Sequence, residues 1–282
     1  MADKIWLNGR LLPVAEAAIS PFDHGITVGN GVFETLIGYG GVPFAFNRHH
    51  QRLVRSGEAM GLEVRPREEL REATLAVLGA NQLTEQLSRI RITLTGGPAP
   101  LGCERGDAPE TTLIAATPAP VMEEIADVVV VPFTRNESGA LVGVKSTSYG
   151  ENVLALTYAT QRGAGEAVFA NTRAELCEGT GSNIFLVSQG KLLTPPLEVG
   201  CLAGVTRALV LELCEKEGVE VTEKSVPITT LHGATEAFLT STTREVQPIR
   251  KVDGRELPQV PGEVTARLRA AFRALADANV DP

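Results

Sequence analysis

The sequence lacks the features of a membrane protein, a secreted protein or a nucleic-acid-binding protein. Its 282 residues contain no apolar run that approaches the roughly 18 residues of a bilayer-spanning helix. Acidic residues outnumber basic ones, 34 to 26, and the net charge of -8 argues against a nucleic-acid partner, because phosphate backbones bind basic surfaces. Residues 1–9 contain no long apolar segment of the kind found in signal peptides. We therefore expect a cytoplasmic protein with no membrane partner.

Paired cysteines and nucleotide-binding motifs are also missing. The four cysteines are scattered and form no C-x-x-C pair, so we expect reduced thiols and no metal site. The chain contains no G-x-x-x-x-G-K-[ST] segment, and no G-x-G-x-x-G segment lies between a strand and a helix. A nucleotide-binding enzyme is therefore disfavoured.

The composition instead fits a folded protein of moderate size. A hydrophobic content of 43% is enough for one large or two ordinary domains of roughly 100–150 residues each. Strand-like and helix-like segments mix without regular β-α-β alternation, which indicates an α+β fold. The TPAP segment at residues 117–120 is the best linker candidate, because proline stiffens the chain and blocks strand pairing. We predict a small α/β domain at residues 1–116, a linker at 117–121 and a larger domain at 122–282.

Periodicity and capping residues predict the secondary structure. Apolar and polar residues alternate strictly at 89–95, as in a strand, while Asn47 and Gly218 are typical of a helix start and a helix end. The predicted strands are residues 31–37, 42–46, 89–95, 111–116, 127–131, 183–187, 219–221 and 236–240. The predicted helices are residues 47–62, 66–78, 152–165, 205–216 and 263–276.

Lys145 is a candidate nucleophile because an apolar segment precedes it and polar residues follow it. Such a lysine is partly shielded, and burial favours the neutral amine that a Schiff base requires. A solvated surface lysine fits the same pattern, since lysine is rarely buried. On these residues alone, both interpretations stay open.

Other segments could bind an anionic or flat ligand. The EGTGSN segment at 178–183 lets backbone approach a ligand closely, and the CLAGVTR segment at 201–207 leads into a helix whose first N–H groups could hold a phosphate. Residues 240–245 end a strand with four hydroxyls, and Arg52 in a helix could bind phosphate bidentately. Each segment also has an ordinary interpretation: a turn, a helix cap or a solvated helix face.

Taken in order, these segments resemble the fold-type IV enzymes that use pyridoxal 5′-phosphate (PLP). This group comprises the class IV aminotransferases, namely branched-chain and D-amino acid aminotransferases and some (R)-amine transaminases, together with aminodeoxychorismate lyase. The resemblance extends from residues 6–9 to residues 252–254. The segments that carry it are GNGVFE at 29–34, HHQRL at 49–53, Lys145 with NVLA at 152–155, EGTGSNIF at 178–185 and GVT at 204–206.

The resemblance implies a two-domain homodimer, similar to D-amino acid aminotransferase, with PLP between the domains. Lys145 would form the Schiff base and act as general base, and Glu178 would face the pyridine nitrogen. The residues that it assigns to the cofactor are Arg52, Lys145, Tyr149, Glu178, Gly204, Val205, Thr206 and Thr242. Phe33 and Thr243 would lie near the substrate.

The implied reaction exchanges an amino group between an amino acid, or a primary amine, and a 2-oxo acid. The alternative is an aminodeoxychorismate lyase, which releases pyruvate and 4-aminobenzoate. Thr35 favours the lyase, because those lyases place a catalytic threonine at the matching position, whereas residues 240–245 resemble the transaminases. A third possibility is a PLP-fold protein kept for binding or regulation, against which the intact set of Lys145, Glu178 and Arg52 argues.

The sequence departs from the family at the loop that should bind the substrate carboxylate. Residues 95–98 (TGGP) lack the arginine found in both the lyase and the typical D-amino acid enzyme. Arg89 and Arg91, on the preceding strand, are the candidate substitutes. A solvated strand face is the alternative interpretation of both arginines.

Overall fold

The computed structural model describes residues 3–282, and it divides into two compact units. Met1 and Ala2, at the start of the predicted first domain, lie outside the described residues. Unit 1 consists of Met1–Val121, Val144–Ser148 and Asn279–Pro282, and unit 2 consists of Met122–Gly143 and Tyr149–Ala278. Unit 1 thus takes in two short segments from the range predicted for the second domain. The predicted domain boundaries stay a prediction.

Unit 1 is built on a six-stranded antiparallel sheet with the strand order β2-β1-β6-β5-β3-β4. Its strands are β1 (Lys4–Leu7), β2 (Arg10–Pro13), β3 (Gly31–Tyr39), β4 (Val42–Pro43), β5 (Ser88–Thr95) and β6 (Thr111–Pro118). Its helices are α1 (His24–Thr27), α2 (Phe46–Ala59) and α3 (Arg67–Ala80), with a 3₁₀ turn at Val14–Glu16.

The core of unit 1 lies between one face of this sheet and helices α2 and α3. Alternation along β5 buries Ile90 and Ile92 and exposes Arg89 and Arg91, as predicted from the sequence. Leu53 of α2 packs in the same cluster as these isoleucines. Each such side chain contributes about 1.5–3 kcal/mol when it is fully buried, so the apolar face of the sheet fixes where both helices lie.

Unit 2 contains a mixed nine-stranded sheet with the order β12-β11-β10-β13-β14-β7-β8-β9, in which β15 pairs with β14. Its strands are β7 (Ala126–Arg135), β8 (Glu166–Asn171), β9 (Leu176–Gly179), β10 (Asn183–Ser188), β11 (Lys191–Thr194), β12 (Val221–Glu223), β13 (Glu236–Ser241), β14 (Glu245–Val252) and β15 (Arg255–Glu256). Its helices are α4 (Gly150–Thr160), α5 (Val205–Glu217) and α6 (Glu263–Ala278), with 3₁₀ turns at Leu197–Val199 and Ile228–Gly233.

The predicted α+β class is confirmed, and most predicted elements are present with shifted ends. The return strand predicted at 42–46 stops at Pro43, because Phe46 already begins α2. The helix predicted at 152–165 ends at Thr160, where the chain enters a turn in which Gly163 has a φ of +75°. The strand predicted at 219–221 lies instead at Val221–Glu223. Within residues 3–282, no helix is both long and apolar enough to cross a bilayer.

Asn47 was predicted as the N-cap of α2, and this prediction is wrong. The cap position is Ala45, which has a left-handed φ of 53° and no side-chain acceptor. The orphan N–H groups are satisfied by the C-terminal segment instead: Asn47 N–H donates to Asp281 Oδ1 at 3.0 Å, and Ala45 N–H donates to the Val280 carbonyl at 2.8 Å. A residue distant in sequence therefore caps the helix that carries Arg52.

Candidate active site

In unit 1, Lys145 lies against the edge of β3 and not within a regular strand. Phe33 N–H donates to the Lys145 carbonyl at 2.9 Å, and Thr147 N–H donates to the Gly31 carbonyl at 2.8 Å. The Lys145 N–H donates to Ser56 Oγ of α2 at 3.2 Å. Because hydrogen bonds on both sides fix this backbone, Lys145 projects from a rigid position.

The side chains of Lys145 and Arg91 both contact the aromatic ring of Phe33. Lys145 Nζ lies 4.4 Å from the centre of the Phe33 ring, and the Arg91 guanidinium carbon lies 3.5 Å from it. Such cation–π contacts hold the two cationic groups beside one apolar surface. Thr35 lies directly opposite Arg91 in the register of β3 and β5, on the same face as Phe33. Arg89 lies opposite Ile37, further along the strand, and is exposed.

Arg52 lies on the other side of β3, in a buried cluster of charged and polar groups. Its Nε and Nη2 donate to the two carboxylate oxygens of Glu34, both at 2.7 Å, in a bidentate pair. His49 Nδ1 lies 2.6 Å from Glu34 Oε2. Since an ionised carboxylate only accepts hydrogen bonds, His49 must donate to it. Arg52, Glu34 and His49 are all buried.

Burial and charge act in opposite directions on this cluster. Burial raises the pKa of Glu34, but the charges and hydrogen bonds of Arg52 and His49 outweigh it and hold that pKa well below its usual range. Burial lowers the pKa of His49, although Glu34 acts in the opposite direction. The cluster is therefore an ionised Glu34 held between charged Arg52 and neutral His49.

In unit 2, Glu178 projects from β9 and is held by a backbone amide and an arginine. Leu202 N–H donates to Glu178 Oε2 at 2.9 Å. Arg135 Nε lies 3.5 Å from Glu178 Oε1, and the Arg135 guanidinium carbon lies 4.3 Å from the centre of the Phe169 ring. The carboxylate position is thus defined by contacts from two other parts of the unit.

Asn183 contacts Leu202, the residue whose N–H holds Glu178, and lies beside Gly204 and the end of β13. It pairs with Thr240 across β10 and β13, and its Nδ2 donates to the Leu202 carbonyl at 2.8 Å. A Cβ atom on Gly204 would lie only 2.0 Å from Asn183 Oδ1, so this close approach requires glycine. Glu178, Gly204 and the end of β13 are therefore neighbours.

The start of α5 and the hairpin between β13 and β14 supply hydrogen-bond donors. Gly204 is the N-cap of α5, and no side chain of the described residues caps this helix start, which includes the N–H groups of Val205 and Thr206. Thr242 and Thr243 form the hairpin tip, since Ser241 pairs with Glu245. The hydroxyl of Thr240 is buried and has no hydrogen-bond partner among residues 3–282. This group of donors suits an anion.

A family model describing class IV amino-transferases matches residues 31–252. A putative branched-chain-amino-acid aminotransferase of Methanocaldococcus jannaschii is 35% identical over 277 residues, which is 96% of this chain and 95% of that protein. The D-alanine aminotransferase of Bacillus licheniformis is 31% identical and covers 96% of each chain. The chain belongs to the class IV aminotransferases.

Solved structures agree with this membership. The branched-chain aminotransferase of Thermoproteus uzoniensis, crystallised with norvaline, superposes with a TM-score of 0.90 at 33% identity, covering 96% of this chain and 94% of that one. The predicted fold-type IV architecture, the PLP cofactor and the PLP-dependent transaminase activity are thereby confirmed. The similar proteins are aminotransferases, so the lyase alternative is not favoured.

The side chains of this class IV aminotransferase fit PLP chemically. In unit 2, the helix start at Gly204 and the hydroxyls of the hairpin tip match a phosphate, and the Glu178 carboxylate matches a protonated ring nitrogen. In unit 1, the guanidinium of Arg52 matches an anionic group. Lys145, also in unit 1, carries an amine of the kind that a Schiff base requires.

Tyr149, the remaining predicted ligand, occupies the N-cap position of α4. Asn152, in the first turn of this helix, donates from Nδ2 to the Thr180 carbonyl at 2.5 Å. Arg135 Nη1 lies 3.4 Å from Asn152 Oδ1. The start of α4 is therefore bound to the turn that follows Glu178.

Arg135 and Asn183 are the residues that the sequence did not single out. Arg135 is the last residue of β7, four residues beyond the predicted end of that strand at 131. The signal was present, since an arginine closes an apolar strand, but Pro132 directly after the predicted end argues against a continuing strand. Asn183 lies inside the EGTGSN segment, and only the tertiary structure reveals that it joins three segments.

Proposed function

We propose that this enzyme transfers amino groups between amino acids and 2-oxo acids with Lys145 as the lysine that carries PLP. The observation that supports this most strongly is the place of the Lys145 amine, 4.4 Å from the Phe33 ring centre on a backbone fixed to β3. An amine held rigidly beside an apolar surface is well suited to nucleophilic attack and to proton transfer. Thr35 and Arg91 lie near the same ring.

When it is bound, PLP supplies an electron sink for the negative charge that develops at the reacting carbon of the substrate. We assign to the amine of Lys145 the uptake and return of the proton at that carbon. We assign to Glu178 the hydrogen bond to the ring nitrogen, with Arg135 and the Leu202 amide holding the carboxylate in place. Tyr149 is a second polar group for the ring.

We assign the phosphate to Arg52 from unit 1 and to Gly204, Val205, Thr206 and Thr242 from unit 2. Glu34 binds Nε and Nη2 of Arg52 and so fixes the orientation of the guanidinium that we assign to the phosphate. Several weak donors fixed by the fold hold an anion without having to reorganise. The predicted domain boundary and the location of PLP between domains belong to this proposal.

We assign the substrate carboxylate to Arg91, with Thr243 as a second donor and Arg89 as an outer charge. Arg91 and Lys145 contact the same Phe33 ring, so a carboxylate bound by Arg91 would lie near the amine of Lys145. Branched-chain amino acids are the first donors to test, because the relatives from Methanocaldococcus jannaschii and Pseudomonas aeruginosa are named for them. D-Alanine is the second, because of the Bacillus licheniformis relative.

A homodimer is part of the proposal and is supported by the surface of α4. Val153, Leu154 and Leu156 have exposed fractions of 62%, 64% and 40%. Neighbouring exposed apolar side chains of this size mark interaction surfaces. In sedimentation, we expect a dimer for the wild type and for Leu87→Glu, a control at an exposed leucine in unit 1, and a monomer for Leu154→Glu. A monomeric wild type would contradict the dimer.

The test of the activity is a half-reaction followed by PLP absorbance. Holoenzyme is mixed with branched-chain amino acids, D-alanine or (R)-1-phenylethylamine, without an acceptor. Conversion to the pyridoxamine form by any donor supports the transaminase, and the donor that reacts defines the substrate class. Pyruvate release from aminodeoxychorismate with no conversion by any donor would establish the lyase and reject the proposal.

A further inference from the structure

Outside the residues assigned to PLP, Glu166 and Arg244 form an ion pair inside unit 2. Glu166 begins β8 and is 1% exposed, and Arg244 is the last residue of the hairpin tip between β13 and β14. Arg244 Nη2 lies 3.3 Å from Glu166 Oε2 and donates to the Gly165 carbonyl at 3.0 Å. A shielded pair of this kind is held in one geometry only if the remaining donors and acceptors are also satisfied.

Glu166 holds the turn that follows Glu178. Its Oε1 accepts the N–H of Thr180 at 3.1 Å and also accepts the Thr180 hydroxyl. Its Oε2 accepts the Ser182 hydroxyl at 3.0 Å. Gly179 completes the turn, since a Cβ atom there would lie 2.3 Å from Ser182 Oγ. The carboxylate of Glu166 therefore fixes the backbone directly after the residue assigned to the pyridine nitrogen.

Arg244 holds the hairpin tip that carries Thr242 and Thr243. Its N–H donates to Ser241 Oγ at 3.3 Å, and its Nη1 donates to Gln247 Oε1 at 2.5 Å. The side chain thus spans the base of the tip and ends at Glu166. Because the guanidinium is directed at β8, Arg244 is suited to anchor the tip and not to bind the substrate.

We propose that the Glu166–Arg244 pair is a positioning device that couples the Glu178 turn to the Thr242–Thr243 hairpin tip. Through these two segments it sets the affinity for PLP and the KM for the carboxylate substrate. The inference rests on the proposed function, because the roles of Glu178, Thr242 and Thr243 belong to it. Neither Glu166 nor Arg244 touches the reacting atoms, so their loss acts through position and affects binding more than turnover.

The test compares Glu166→Gln, Arg244→Gln, the double variant and Arg244→Lys with the wild-type holoenzyme. Arg250→Gln is the matched control, since Arg250 forms a bidentate but exposed pair with Asp127 in the same unit. For each protein, the PLP dissociation constant is measured by titration after dialysis, KM and kcat by steady-state kinetics, and folding by thermal unfolding.

We expect each single glutamine variant to raise the PLP dissociation constant and KM about tenfold while kcat changes less than about threefold. The double variant is expected to raise the PLP dissociation constant and KM no further than the more strongly affected single variant does, because the effects of coupled residues are not additive. Arg244→Lys keeps the positive charge and should show a smaller change in PLP affinity and KM than Arg244→Gln. It also provides a folded protein for the test if a glutamine variant does not fold.

Folded variants with unchanged PLP affinity and KM would overturn the inference. Fully additive effects of the two substitutions on these constants would overturn it as well, and so would changes no larger than those in Arg250→Gln. A wild type that binds PLP but transfers no amino group would contradict the proposed function alone, and the comparison of PLP affinities would still decide the coupling.

Discussion

Glu34 and Arg52 form a buried bidentate ion pair in which both nitrogen–oxygen distances are 2.7 Å. Along the chain, only β4 and short turns separate β3, which carries Glu34, from α2, which carries Arg52. The pair gives Arg52 a single orientation, so the guanidinium assigned to the phosphate is fixed before any ligand binds. Preorganised charges of this kind bind an anion without a further ordering cost.

Replacing Glu34 by glutamine should destabilise the fold and weaken PLP binding. Removing one partner of a buried ion pair typically costs about 3–5 kcal/mol, because it leaves an uncompensated charge. Glutamine keeps the shape and one acceptor, so we expect the lower end of that range in urea unfolding at pH 7. An unfolding free energy unchanged from the wild type would show that Arg52 finds another partner.

The low pKa of Glu34 also makes a prediction about acid stability. A carboxyl whose pKa is lower in the folded state stabilises the fold above its unfolded pKa of about 4.3, and this contribution is lost as the pH falls further. Wild-type stability should therefore fall steeply below about pH 4. In Glu34→Gln, part of that slope should be missing when unfolding is measured between pH 5 and pH 3.

His49 should make the fold sensitive to mild acid. Its pKa is lowered by burial, so the folded protein keeps it neutral while the unfolded chain takes up a proton below about pH 6.5. Stability is therefore lost as the pH falls from 7 towards 5, and His49→Asn should reduce that loss. His50→Asn, on the same helix but only half-buried, should retain it. Equal pH slopes for wild type and His49→Asn would refute this account.

Asp281 should act as the cap of α2. Because its Oδ1 accepts the Asn47 N–H at 3.0 Å, Asp281→Ala should cost about 0.5–2 kcal/mol in unfolding experiments, as is usual for loss of a cap. Asp277→Ala is the control, since Asp277 is exposed and lies 3.9 Å from Arg273, and it should change stability by less than about 0.5 kcal/mol. The same loss in both variants would reject the capping role.

Gly204→Ala should impair PLP binding more than folding. The added methyl would lie 2.0 Å from Asn183 Oδ1 and would push apart the segments that meet at Asn183. Overpacking of this kind typically costs about 1–3 kcal/mol. We expect the PLP dissociation constant to rise at least about tenfold. Gly233→Ala, where a Cβ has open space, is the control. Unchanged PLP affinity in Gly204→Ala would separate this glycine from the cofactor site.

Local patterns predicted β3, β5, α2 and α5, which carry several candidate site residues, but not β9, which carries Glu178, and not the contacts that hold those residues. The alternation along β5 and the cap at Gly218 are local signals, and both elements are present. Strands β8 and β14 were missed for identifiable reasons. Every residue of β8 is buried, so it shows no alternation, and β14 contains Pro248, a residue that argues against a central strand.

The partners of the site residues come from distant parts of the chain and leave no periodic signal. Arg135 reaches Glu178 across the sheet, and Asp281 caps a helix that begins at Phe46. Lys145, Glu178 and Arg52 could be singled out because a family resemblance added information that spacing alone does not contain. Their hydrogen-bond partners required the tertiary structure.

The central claim, that Lys145 carries PLP, is tested most directly by locating the cofactor on the chain. Holoenzyme is reduced with borohydride, digested and mapped by mass spectrometry, and Lys145→Ala is treated in parallel, with Lys191→Ala as the control at an exposed lysine. We predict a pyridoxyl group on Lys145 in the wild type and in Lys191→Ala, and none in Lys145→Ala. A pyridoxyl group on another lysine, or its persistence in Lys145→Ala, would contradict the account.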